Sequence, residues 1–386
     1  MNVFEGRFLL VDAVTESTVG LADPRRDLAR FEDQLVEAAR RVIASGFYIN
    51  GTEVRFFEET MGRALGLESP VVGVGSGTDA LIMALLAAGI GSGDEVIVPS
   101  HTAGPSVAAI RAVLATPVFV DVEADTACVD PDCVAQAVSP RTKAILAVHL
   151  YGHPADMDRL KPIAKRHDLV LIEDCAQAQG ALLHDRPVGS IGDLGCFSFY
   201  PTKNLGAIGD GGAVSGSKER LKIVRKLRTY GWSEPQYSDL ALGRCSRLDE
   251  IQAAFLNVKF STLDTDVKSR RRIAEIYKNR LSDLPIELPV ERPGAYHAYH
   301  LFVVKTASRD PLREYLSRAG IMTGLHYPFP VHVQPGLSQG ARTAGSLVVT
   351  LDLQAKILSL PLFVTMTDAE IERVVTSVQD FFRGRH

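Results

Sequence analysis

The sequence predicts an α/β fold: a large domain built on a mostly parallel sheet with helices on both faces, followed by a smaller α+β domain. Three observations predict it. Short β-branched runs alternate with helix-patterned segments over roughly 130 residues, the arrangement that a helix-covered parallel sheet requires. The chain has 386 residues, 46% hydrophobic and 23% charged, enough for two domains around a large core and unlike disordered or fibrous composition. After Gly243 the alternation stops and long amphipathic helices take over. We therefore expect residues 1–243 to form an N-terminal arm and the large domain, and residues 244–386 the small one.

Taken in order, the first stretch, MNVFEGRFLLVDAVTEST, holds an apolar run of only four residues, short of a secretory core. The longest apolar stretch, Ala80 to Ile90, is about half of a membrane span. A cytoplasmic protein with no membrane partner is the expectation. Residues 27–45 carry apolar positions at helical spacing, with Gly46 to close the helix, and VRFFEETMGRALG repeats the pattern after a turn. The runs DEVIVPS, TPVFVDV, TKAILAVHL, DLVLIEDC and LGCFSFY read as strands, separated by helical segments such as PSVAAIRAVLA, DPDCVAQAVS and DMDRLKPIAKRH. Beyond Gly243, RLDEIQAAFLNVKFSTLDTDVKSRRRIAEIYKNRL reads as one or two long helices. AYHLFVVKT then reads as a strand, and DPLREYLSRAG and residues 368–382 as further helices. The basic run Ser269, Arg270, Arg271 and Arg272 is expected on a solvated helix face.

A net charge of −4 provides no global basic field, so nucleic acid is not expected as a partner and any anionic ligand needs a local site. The five cysteines form no C-x-x-C pair, which suits reduced thiols, and Cys175 and Cys196 read as small buried side chains. The ten histidines show no metal-ligand spacing, so no metal is expected.

In open α/β sheets, ligands bind beyond the carboxyl ends of the strands. Three apolar runs end in residues with chemistry to offer. VVGVGSGTDALIMALL passes from a strand through Gly75, Ser76, Gly77 and Thr78 into a helix, whose free N–H groups and dipole suit an anion. DLVLIEDCAQAQG ends its run in Glu173 and Asp174, with Gln177 close behind. LGCFSFYPTKNLGAIGDGGA ends at Ser198 and Phe199, and Pro201 breaks regular structure just before Lys203. A lysine in a partly dry pocket has its pKa lowered, and its free amine can then attack a carbonyl to form a Schiff base. Pyridoxal phosphate uses all three places at once: a lysine for its aldehyde, a carboxylate for its pyridinium nitrogen, and an anion site for its phosphate.

The stretch EDCAQAQGA followed by GDLGCFSFYPTKNLGAIGDGGAV closely resembles the DegT/DnrJ/EryC1/StrS sugar aminotransferase family of fold type I pyridoxal-phosphate enzymes. The likeness runs from GFYINGTEVRFFEE through VGSGTDAL, VHLYGHPADMD, SRLDEIQAA and GIMTGLHYPFPVH to ILSLPLF, almost the whole chain after about residue 30. It implies a large domain with a seven-stranded, mostly parallel sheet. It also implies that Lys203 binds the cofactor and moves protons, that Asp174 partners the pyridine nitrogen, and that Gln177 lies against the ring. Ser76, Gly77, Thr78 and Ser198 would hold the phosphate. Tyr48, His101, Arg247, His326 and Tyr327, with His332 in the same loop, resemble positions near the substrate site. The family further implies a homodimer with shared active sites, in which residues 243–249 approach the partner's cofactor.

Three positions depart from the family pattern: Gln179 stands where histidine is common, Ala103 where an aromatic residue is common, and Cys245 where asparagine is common. Ala103 cannot stack on a ring, which leaves that face to His101 or to substrate. The expected activity is transfer of an amino group from an amino acid, L-glutamate, to a nucleoside-diphosphate-linked keto sugar, through pyridoxamine phosphate, in the making of polysaccharides or antibiotics. A keto-cyclitol acceptor with L-glutamine as donor is the alternative. A dehydratase using pyridoxamine phosphate is disfavoured by Lys203, and a non-catalytic cofactor-binding regulator ranks below these.

Overall fold

The computed structural model describes residues 18–384. The short apolar run of the first residues lies outside the described residues. Seven strands build the centre of the molecule: β1 (Val72–Val74), β2 (Glu95–Pro99), β3 (Thr116–Val120), β4 (Thr142–Val148), β5 (Val170–Asp174), β6 (Leu194–Ser198) and β7 (Gly212–Gly216). The C-terminal part adds, among others, β8 (Phe302–Lys305), β9 (Arg342–Thr343) and β10 (Ile357–Leu360). The large sheet has the order β1-β7-β6-β5-β4-β2-β3-β9, so the seven expected strands gain a short eighth at one edge, paired parallel to β3. Its antiparallel pairs are the two made by β7, with β1 and with β6.

Successive side chains of a strand point to opposite faces, and here both faces are covered. Val96 and Val98 of β2 and Phe119 of β3 enter one buried cluster, while Ile97, Val118 and Val120 enter the other. A third cluster unites β8 and β10 with the helices Leu263–Leu281 and Asp368–Arg383 around Phe302, Tyr277, Leu358 and Val374, and Val19 joins it.

Two local expectations are corrected. The helix expected over 27–45 is two helices, Pro24–Ala29 and Glu32–Ser45, the second closed by Gly46 at φ 70°. β7 opens at Gly212, where a Cβ would run into the Ser76 carbonyl. The basic run is not wholly solvated. Arg270 is buried, with Nη1 donating to the Leu362 carbonyl at 3.1 Å, whereas Arg272 reaches Asp368 in the open. An arginine's donors can satisfy backbone carbonyls of other elements, which a run of like charges does not reveal. Cys175 and Cys196 are buried, as expected, and burial pushes both thiols well above their ordinary range.

The helix Glu250–Phe260 packs on Glu32–Ser45 and Thr52–Ala64. The Glu250 carboxylate accepts the Glu53 and Val54 N–H groups at 2.9 and 3.0 Å, capping the helix Thr52–Ala64.

On β5, Glu173 faces away from Asp174 and organises the turn beyond β5. Its carboxylate accepts from His149 Nε2 at 2.9 Å, from Gly189 and Ile191 N–H at 2.8 Å, and from Gly192 N–H at 2.6 Å. His149 Nδ1 accepts the Ala155 N–H at 2.9 Å, so Nε2 carries the proton that Glu173 receives. Burial works to raise the Glu173 pKa, but the hydrogen bonds from His149, Gly189 and Gly192 hold it below the ordinary glutamate value. Its stabilising contribution is therefore present above about pH 4.3, the unfolded value, and is lost as pH falls through the lower folded value. Glu173→Gln sets an amide N–H₂ among four donors, so we expect it to cost about 2–3 kcal/mol at neutral pH. Urea unfolding midpoints check this, and the gap to wild type should narrow below about pH 4.

Candidate active site

The carboxyl ends of β1, β5 and β6 lie on one edge of the sheet. β6 runs parallel to β5, and β1 shares their direction because β7 runs against both β1 and β6. A cavity of about 240 Å³ opens there, and Ser76, Gly77, Thr78, Asp174, Gln177, Ser198 and Lys203 all line it. The structure thus brings together every residue expected to hold the cofactor.

Asp174, the last residue of β5, is buried. Its Oδ2 accepts the Ser106 hydroxyl at 2.8 Å and its Oδ1 the Ala176 N–H at 3.1 Å. Burial raises its pKa against the pull of those hydrogen bonds and of the Lys203 charge. Lys203 sits on the turn after β6, its N–H donating to the Tyr200 carbonyl at 2.9 Å. Desolvation brings its amine down to about 8, with Asp174 opposing the shift. Half of its ammonium population is then free amine near pH 8.

The helix Gly77–Ala87 starts beneath Ser76, whose hydroxyl accepts the Asp79 N–H at 3.1 Å. A Cβ on Gly77 would lie 2.5 Å from the Ser198 Cβ, so glycine lets the helix N-terminus close on Ser198. The first residues of the helix, whose N–H groups have no intrahelical acceptor, line the same cavity as Ser76 and Ser198. Ser246 braces this loop: its hydroxyl accepts the Gly75 N–H at 3.0 Å and donates to Asp79 at 2.8 Å. Gln177 is held at both ends, Oε1 by the Tyr151 N–H and Nε2 by the Tyr327 hydroxyl, each at 2.8 Å.

The substrate candidates are more dispersed. Tyr327 touches the site through Gln177. His326 is held by Ser359 at 2.8 Å, and burial and the Lys203 charge keep it near 4. His101 is buried with Nε2 2.7 Å from the Tyr151 hydroxyl and is not among the cavity's lining residues, so it does not cover the face that Ala103 leaves open. Tyr48 is exposed, its hydroxyl donating to the Ile43 carbonyl at 3.3 Å. Arg247 lies on Cys245 at 2.9 Å and over the Tyr230 ring. Neither Tyr48 nor Arg247 lines the cavity within this chain. Gln179 donates to the Ser198 carbonyl instead of entering the cavity.

Several lining or supporting residues escaped sequence reasoning: Ser106 beneath Asp174, Tyr151 behind Gln177, and Tyr200 and Asp210 beside Lys203. Tyr200 and Asp210 had a signal in their closeness to Lys203 in the chain, and Tyr151 in lying within VHLYGHPADMD. His149, Glu173 and Cys175 have ligand-type atoms within 4.8 Å of one another, but both imidazole nitrogens and the carboxylate are already engaged in hydrogen bonds.

These residues fit pyridoxal phosphate on three counts. A buried carboxylate at the strand end suits a pyridinium nitrogen, an amine of lowered basicity suits an aldehyde, and a helix N-terminus ringed by hydroxyls suits a phosphate.

The comparisons agree. Residues 30–379 match the model of the DegT/DnrJ/EryC1/StrS aminotransferase family. The chain is 45% identical to the erythromycin biosynthesis sensory transduction protein EryC1 of Saccharopolyspora erythraea, over 89% of this chain and 94% of that one. It is also 45% identical to a dTDP-3-amino-3,4,6-trideoxy-alpha-D-glucose transaminase of Streptomyces venezuelae, over 89% of this chain and 91% of that one. The crystal structure of NtdA from Bacillus subtilis with bound cofactor PMP superimposes with a TM-score of 0.90 at 30% identity, covering 96% of this chain and 86% of that one. The protein is a member of the DegT/DnrJ/EryC1/StrS aminotransferase family.

Proposed function

We propose that this pyridoxal-phosphate-dependent aminotransferase moves an amino group from L-glutamate to a keto sugar carried on a nucleoside diphosphate. The similarity to a dTDP-sugar transaminase over nine-tenths of that chain carries the substrate class. The bound cofactor supplies an electron sink for the carbon that loses its proton. Lys203 would hold the cofactor aldehyde, and its Nζ, when free, is the base for the proton on the donor α-carbon. Asp174, its Oδ2 steadied by the Ser106 hydroxyl, would partner the pyridine nitrogen and keep it protonated. Ser76, Thr78, Ser198 and the backbone of Gly77 seat the phosphate, and Gln177 fixes one wall. His326 stands near 4 through burial and the Lys203 charge, so at neutral pH it adds no positive charge beside Lys203.

The protein acts as a homodimer in this reading. Ile43, Phe47, Tyr48, Ile49 and Phe56 are exposed on adjoining stretches of the chain, which supports a face covered by a second copy. Tyr48 and Arg247 then serve the neighbouring site rather than their own.

The deciding experiment is an absorption titration with L-glutamate, followed by initial rates with dTDP-linked keto sugars. Wild type should lose the visible cofactor band on adding glutamate and show parallel double-reciprocal lines with the sugar. Lys203→Ala should form no such band, and Asp174→Asn should lower kcat by about 100-fold or more. Turnover of a keto-cyclitol with glutamine and of no nucleotide sugar would overturn the substrate assignment. Because Lys203 loses its proton near 8, the rate at which cofactor-stripped protein captures pyridoxal phosphate should rise about tenfold per pH unit below that value and level off above it. Stopped-flow absorbance measures it; a plateau delayed to pH 10 would show an unperturbed lysine.

A further inference from the structure

The turn that carries Lys203 is held from behind by one helix, Glu250–Phe260. Gln252 clamps the strand side of the turn: the Ile208 N–H donates to its Oε1 at 2.9 Å, and its Nε2 donates to the Ile208 carbonyl at 3.0 Å. Two helical turns further on, and so on the same face, Lys259 Nζ donates to the Gly206 carbonyl. A Cβ on Gly206 would lie 2.5 Å from the Pro201 carbonyl oxygen, so the chain folds tightly back between Pro201 and Gly206, with Lys203 in between. Asn204 adds a bond from Nδ2 to the Ala298 carbonyl at 3.0 Å.

Lys259 is buried, and a buried ammonium is costly unless it is paired and hydrogen-bonded. The charged groups facing it are Asp27 and Arg30 from the N-terminal segment and Asp266 and Arg270 from the next helix. Arg30 donates to Asp266 at 2.7 Å, and Arg270 is spent on the carbonyls of Leu362 and Tyr299. Asp27 is held by the Thr365 hydroxyl at 2.9 Å. The two carboxylates offset the lysine's charge, and its donor goes to the lysine turn. An apolar side chain of that length would fill the space without the desolvation cost, but it would leave the Gly206 carbonyl without this donor.

We propose that Lys259 is a positioning residue for the reaction: by holding the Gly206 carbonyl it fixes the turn so that the Lys203 amine faces Asp174, and it anchors that turn to the charge cluster of Asp27, Arg30, Asp266 and Arg270, of which Asp266 and Arg270 are buried. The inference rests on Lys203 being the cofactor lysine.

The test compares Lys259→Met, which keeps length and removes the donor, with Lys259→Gln, which keeps an N–H donor without the charge. Hydrogen–deuterium exchange of residues 200–208 is followed in cofactor-stripped protein, and the pH midpoint of the visible cofactor band in the holoenzyme. Lys259→Met should exchange these amides about tenfold faster. Its band midpoint should move by about half a pH unit or more, and kcat should fall about tenfold with KM for the sugar within about twofold. Lys259→Gln should recover most of the protection. Unchanged exchange and midpoint in a folded Lys259→Met protein would overturn the proposal. So would failure of both variants to fold, which would assign Lys259 to the scaffold alone. A visible band that persists in Lys203→Ala would instead overturn the cofactor-lysine reading beneath it.

Discussion

The site depends on two opposite charges that burial penalises separately. Asp174 and Lys203 line one cavity, each is pushed toward its neutral form by lost hydration, and among the described residues no ion pair joins them. A direct salt bridge would have relieved both and filled the space between them. Keeping them apart demands that the surrounding backbone hold each in place, and much of the local architecture answers that demand. Ser106 and the Ala176 N–H fix the carboxylate, and the folded-back turn with its helix support fixes the amine.

The same strand serves both sides of the sheet. β5 ends in two adjacent carboxylates that point opposite ways: Asp174 into the cavity, and Glu173 into a cage of N–H groups that fastens the turn at residues 189–192. Rigidity on one face thereby underwrites placement on the other. Helix Glu250–Phe260 has a comparable double role, capping the helix Thr52–Ala64 at its start and touching the Lys203 turn along its length.

The strand ends were legible because a polar residue that stops an apolar run sits where an α/β sheet binds ligands. Asp174, Lys203 and the glycine loop all announce themselves in that way. β7 did not, since it opens on Gly212, whose missing side chain allows close approach to Ser76 and leaves no apolar signal at that position. The burial of Arg270 was hidden for a related reason: its partners are carbonyls of segments distant in sequence. Ser106 carries no local mark at all, because its role exists only once β5 lies beside the helix it occupies. Tyr48 and Arg247 matched the family pattern, yet the fold of one chain leaves them away from the cavity.

The tight seat formed by Gly77, Ser198 and Gly212 bears on how such an enzyme can diversify. A single methyl at Gly77 or Gly212 meets another part of the chain, so the backbone around Ser76 and Ser198 has almost no room for drift. Tyr200 and Asp210 reach the same cavity from exposed positions and bear no such restriction. Room for change therefore lies at the rim, at these two side chains, and not in the seat.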